Sequence, residues 1–154
     1  LREMAGVNLR YNLSQLIDQA HRRDVPVLLV NPTYNFRFAP TVPWDSTSEL
    51  NRENAERLSQ KGRFEEARRW YKKSVEAGSG ITTVTENIRN SIRWLAEEKG
   101  AWYIDAERLF YEKSPDGLSA NGLFWDELHP SRKGHEYLSE AIFGFVEEIE
   151  NRKR

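Results

Sequence analysis

Two short apolar runs constrain this chain more than anything else in it. Residues 25–30 read Val-Pro-Val-Leu-Leu-Val, and residues 101–105 read Ala-Trp-Tyr-Ile-Asp. The first run is continuous rather than alternating, the pattern of a strand buried on both faces in a parallel sheet. Each run follows a stretch of helical periodicity. Leu9, Leu13, Leu16, Ile17 and Ala20 recur at the spacing of one helix face, until Arg23 and Asp24 break the pattern. Ile88, Ile92, Leu95 and Ala96 do the same in a helix that starts at Thr82 or Thr83 and is closed by Gly100. Helix then strand, twice over, is the alternation of a parallel α/β layer fold. Two strands are too few for a self-sufficient sheet. The chain therefore reads as part of a single α/β domain over 1–154 whose N-terminal portion is missing, and the opening at Leu1 in polar, helix-like sequence carries the same expectation. An exposed sheet edge and bare helix faces then predict self-association.

Between the two runs the character changes. The first run ends at Asn31-Pro32, and a loop rich in proline and aromatics continues to Trp44. Residues 48–78 are charged and helical, with Ala55, Leu58, Gly62, Phe64, Ala67, Trp70 and Tyr71 alternating small and large side chains. This stretch resembles one tetratricopeptide-type hairpin, with Gly62 in its turn. A single hairpin cannot build a solenoid, because each repeat relies on neighbours to cover its apolar face. It reads as an insertion packed on the main domain, with a charged outer surface that a protein partner could use.

Composition removes several classes of function. Lysine and arginine number 23 against 24 aspartates and glutamates, for a net charge of −1, which argues against general nucleic-acid binding. The absence of cysteine excludes disulfides, thiolate metal sites and a cysteine nucleophile. It leaves cytoplasmic and extracytoplasmic locations equally open. No apolar run approaches the roughly 20 residues of a membrane span. Three dispersed histidines make a metal site improbable.

The chemistry concentrates near the C-terminus, in Phe124-Trp125-Asp126-Glu127-Leu128-His129-Pro130-Ser131-Arg132-Lys133-Gly134-His135. A carboxylate stands three residues before a histidine, a proline stops the loop, and a helix follows from about Ser131 to Glu150. This block resembles the last conserved block of the SGNH (GDSL-type) hydrolases, Asp-x-x-His-Pro followed by Gly-His or Gly-Asn. The order of the preceding elements is similar to the C-terminal half of those enzymes over most of the chain. "NPTYNFRFAP" followed by a helical hairpin resembles a bacterial subgroup with helical repeats inserted before the last strand. The resemblance implies a flavodoxin-like three-layer α/β/α fold and cofactor-free hydrolysis of a carboxylic ester, such as an acetyl ester on a sugar. An acetyl-transferring relative would use the same residues. His129 would be the general base and Asp126 the acid that orients it. A serine hydroxyl is too weakly acidic to attack unaided, and an imidazole that titrates near neutrality suits the proton transfer. The chain departs from the pattern in one respect: it has no Gly-Asp-Ser-Leu and no Gly-x-Asn-Asp block, and none of its eleven serines, Ser14 through Ser139, stands in that context. A non-catalytic interaction module, working through 48–78, is the competing reading.

Other candidates carry less chemistry. Asn35 and Arg37 follow the first strand at its C-terminal end, where open α/β sheets bind ligands, and Arg37 could hold an anionic or sugar group. Trp125 adjoins the dyad and is a candidate for substrate contact. Trp44, Trp70, Tyr71, Trp94, Trp102 and Phe124 fall mostly at core spacing and are expected to be buried. Asp105 reads as the cap of a short helix through Phe110. His21 suits a helix C-terminus, and His135 suits packing or hydrogen bonding at a helix start.

Overall fold

The computed structural model describes residues 2–37, 46–78, 85–118 and 122–152. Trp44, Ser79, Thr82, Thr83 and Ser119 lie outside the described residues. In chain order the elements are α1 (Arg2–His21), β1 (Leu28–Asn31), α2 (Ser46–Gln60), α3 (Phe64–Ala77), α4 (Glu86–Lys99), β2 (Trp102–Asp105), α5 (Ala106–Lys113) and α6 (Arg132–Arg152). The described residues fall into two compact units. One is drawn from 2–32, 85–106 and 138–152, the other from 33–37, 46–78, 107–118 and 122–137. None of these helices is long and apolar enough to cross a membrane.

In the first unit, β1 and β2 pair in parallel, with Leu28 opposite Trp102 and Asn31 opposite Asp105. The strand starts three residues into the apolar run. Val25 is taken up in closing α1 instead: its N–H donates to the Ala20 carbonyl at 3.0 Å, after Asp24 turns the chain with a positive φ of 54°. Nor is β1 buried on both faces as its unbroken apolar sequence predicts. Leu28, Leu29 and Val30 are half-buried, because a sheet with two described strands has only edges. Helix α4 packs against both strands and against α1. Phe145 of α6 sets its ring edge-on to Trp102 at 5.0 Å between centroids.

Helix α4 starts at Glu86, with Thr85 as its N-cap residue, and stops at Gly100, whose φ of 65° is the left-handed conformation that ends helices. Ile92, Leu95 and Ala96 are buried as their spacing predicts. Lys99 bonds both carboxylate oxygens of Asp18 on α1, at 2.9 and 3.0 Å. Two expectations need correction. Leu16 is 61% exposed while Ile17 is buried, so the packed face of α1 is turned toward Gly6 and Ile17 rather than centred on the leucines. Trp94 is half exposed on α4, with the Arg10 guanidinium 5.8 Å from its ring centre.

The second unit is built on the α2–α3 hairpin. Gly62, at a φ of 71°, makes the turn the sequence placed there. The helices approach closely because their contact is made of small side chains: Ala55, Ala67, Ser48 and Ser74 are fully buried. The two serines also satisfy each other's helices. Ser48 Oγ donates to the Ser74 carbonyl at 2.6 Å, and Ser74 Oγ donates to the Ser48 carbonyl at 2.7 Å. Glu107 of α5 is buried and held by Lys72 of α3 at 2.6 Å, with Arg68 at 3.9 Å. Tyr34, Phe36 and Tyr71 form an aromatic cluster beside the hairpin.

Candidate active site

The segment 123–131 folds as a narrow two-stranded loop. Ser131 N–H donates to the Leu123 carbonyl at 2.8 Å, Phe124 bridges Pro130, and Trp125 N–H donates to the His129 carbonyl at 2.9 Å. Phe124 anchors it by packing edge-on against buried Phe110, with centroids 5.2 Å apart. Asp126 sits where the loop turns. Its Oδ1 accepts the backbone N–H groups of Leu128 and His129, both at 2.8 Å. Its Oδ2 lies 2.7 Å from His129 Nδ1. An aspartate whose side chain accepts from the backbone two and three residues on is a self-made turn.

This geometry decides the electrostatics. The His129 and Leu128 amides, then the imidazole, hold the Asp126 carboxyl down at about 2. The group is therefore an anion at any ordinary pH, and an anionic carboxylate only accepts hydrogen bonds. His129 Nδ1 must be the donor in the pair, which leaves the lone pair of the neutral ring on Nε2. The side chain of His129 is 78% exposed and that of Asp126 41%. The arrangement can take up a proton at Nε2 and stabilise the resulting imidazolium through Asp126.

Helix α6 fixes the other end of the loop. Ser131 caps it: Oγ accepts the Gly134 N–H at 3.2 Å and donates to the Gly122 carbonyl. The serine nearest to His129 in sequence is thus committed to a helix end. Replacing Ser131 with alanine should cost about 0.5–2 kcal/mol, read as a lower urea midpoint with unchanged slope. Gly134, three residues on, lies so close to the loop that a Cβ would overlap the Leu123 carbonyl oxygen and stand 3.0 Å from Pro130 Cβ.

The remaining sequence candidates are placed as follows. Asn35 lies against the dyad loop, its N–H donating to the Glu127 carbonyl at 2.9 Å and its Nδ2 to the Asp126 carbonyl at 3.4 Å. Arg37 is paired with Asp116 at 2.6 Å and donates to Ser59 Oγ on α2 at 3.2 Å, so its guanidinium is already engaged within the protein. Trp125 is 76% exposed and lines an open depression of about 390 Å³ with Arg132, Lys133 and Glu136. His135 is exposed in the first turn of α6, so it does no packing there; its N–H closes that turn on the Ser131 carbonyl. Sequence reasoning missed Asp116, Ser131 and Gly134. Asp116 had a readable signal, since Pro115-Asp116-Gly117 is a turn signature. Its Oδ1 accepts from Ser114 Oγ and Leu118 N–H while Oδ2 takes Arg37.

No curated protein and no solved structure matches the chain. The family described as GDSL-like lipase/acylhydrolase matches over residues 5–142. With nearly the whole chain covered, including the loop that carries the Asp126–His129 pair, the protein belongs to the GDSL-like lipase/acylhydrolase family.

Proposed function

We propose that the protein is an ester hydrolase of the serine acyl-enzyme type in which this chain supplies the Asp-His part of the site, with His129 as general base and Asp126 as the acid that orients it. The observation that carries this reading is the 2.7 Å contact between His129 Nδ1 and an Asp126 carboxylate whose second oxygen is fixed by two backbone amides. In that role Nε2 accepts the serine proton as the hydroxyl attacks the ester carbonyl, then returns it to the departing alcohol. Asp126 stays charged throughout and balances the imidazolium. Membership of the hydrolase family supports a small-molecule ester as substrate. A sugar O-acetyl ester fits the exposed ring of Trp125, an apolar plate beside the dyad on which a pyranose can lie. The three-layer α/β/α fold of the SGNH enzymes is supported by the parallel β1–β2 pair and by α4 packed on it. The tetratricopeptide-like character of α2–α3 is supported by its small-residue contact and its glycine turn.

A fluorophosphonate probe followed by intact-mass measurement tests the proposal. One adduct on the wild-type protein, lost in His129→Ala, would show that His129 activates one of the serines present here. A folded wild-type protein that takes up no probe would show that none of the serines in this sequence is the activated nucleophile. An adduct retained in His129→Ala would remove His129 from the base role.

A further inference from the structure

We infer that Asn35 is a positioning residue for the Asp126–His129 pair, which it holds through two of the three peptide planes that join them. The inference rests on the ester-hydrolase reading for its functional meaning, but its geometry stands independently. A peptide unit is planar and trans, so fixing its carbonyl fixes the direction of the N–H on its opposite side. The Glu127 carbonyl, which accepts the Asn35 N–H at 2.9 Å, belongs to the same plane as the Leu128 N–H. That N–H is one of the two donors to Asp126 Oδ1. The Asp126 carbonyl, which accepts Asn35 Nδ2 at 3.4 Å, belongs to the preceding plane. Asn35 therefore holds both planes between Asp126 and Leu128 from outside the loop.

The orientation of the Asn35 amide is itself determined. Arg37 N–H donates to Asn35 Oδ1 at 3.1 Å, which leaves Nδ2, the only donor end, for the Asp126 carbonyl. Arg37 in turn is held by Asp116 and by Ser59 on α2. Next to them, Phe36 is buried among Tyr34 and Tyr71 of the hairpin cluster. The segment 34–37 is thus clamped on the α2–α3 side and presents one amide to the dyad loop. Within this unit the helical hairpin supplies the rigid support for that amide, and no residue of the hairpin has to touch a substrate.

The test uses histidine labelled with nitrogen-15 and long-range nitrogen–proton correlation, which reads which ring nitrogen of neutral His129 carries the proton. Wild type should show the Nδ1–H form. Asn35→Ala should lose that preference and move toward the Nε2–H form. Asn35→Asp, which keeps the acceptor for Arg37 N–H but not the donor to the Asp126 carbonyl, should shift part of the way, and it serves if the alanine variant fails to fold. In turnover of p-nitrophenyl acetate the same variants should lower kcat roughly 10-fold with KM little changed, the signature of a misplaced base. A folded Asn35→Ala protein with the wild-type tautomer overturns the inference. Absence of hydrolysis in wild type, with the tautomer shift still present in Asn35→Ala, would refute the ester-hydrolase reading and leave Asn35 as the residue that sets the pair.

Discussion

Alanine at position 129 is expected to lower kcat for an activated ester by roughly 10⁴-fold or more while leaving KM nearly unchanged, because the lost proton transfer is made only in the transition state. Asp126→Asn should come close to it, at roughly 10²- to 10⁴-fold, for a different reason. An asparagine Oδ1 can still accept the Leu128 and His129 amides, so the turn should persist. Its Nδ2 would donate to His129 Nδ1, and the ring would then carry its own proton on Nε2, where the serine proton has to go. A stopped assay on both variants, with circular dichroism to show retained fold, checks the pair. Full activity in either would remove it from the mechanism. The pH dependence follows from the same hydrogen bonds. Asp126 is depressed to about 2 from an ordinary value of 3.8, so its contribution to the loop is complete above 3.8 and fades as pH falls through 2. Any loss of rate between pH 8 and 5 must therefore come from a group other than Asp126.

Two glycines of the same helix should respond with opposite signs. Gly134→Ala places a methyl group against the Leu123 carbonyl and Pro130, neither of which is the free end of a flexible side chain. Overpacking of this kind costs about 1–3 kcal/mol. The damage would fall on the bond from Ser131 to Leu123 that pins the dyad loop, so activity should drop with stability. Gly144, nearly three turns on, is exposed, and a Cβ there meets nothing within 4 Å. There the ordinary preference of helices for alanine applies, and Gly144→Ala should stabilise by about 0.5–1 kcal/mol. Urea unfolding of the two variants side by side decides the matter. Equal effects would mean that the close approach at Gly134 is not tight in solution.

Features encoded by neighbours in sequence were legible; those encoded by distant partners were not. Both strands, the two helices before them, the Gly62 turn and the Asp126–His129 loop announce themselves through apolar spacing, a glycine, or a carboxylate three residues from a histidine. The start of β1 was misplaced because Val25 looks like strand sequence yet completes the end of α1, a role set by the left-handed turn at Asp24. The exposure of Leu16 and Trp94 depends on how α1 rolls against α4, and periodicity fixes an apolar face only to within about a residue's rotation. Arg37 read as a ligand-facing cation. Its partners Ser59 and Asp116 both lie well downstream in the chain, and nothing local points to either. Gly134 is the plainest case. Its reason is the carbonyl of Leu123, and a one-dimensional reading sees only a helix position that alanine would fill better.

The reciprocal Ser48–Ser74 hydrogen bonds bring the two ends of the α2–α3 excursion together. The chain leaves and returns at almost the same place, so bridging residues 46–77 by a short linker would change the closure distance little and carry a small entropic cost. Topology alone would let evolution, or an engineer, add or delete the hairpin as a cassette. Electrostatics works against deletion. Glu107, only 7% exposed, would lose Lys72 and Arg68 together, and Arg37 would lose Ser59. The hairpin is thus easy to close off by topology and hard to remove, because α5 sets a buried charge against it.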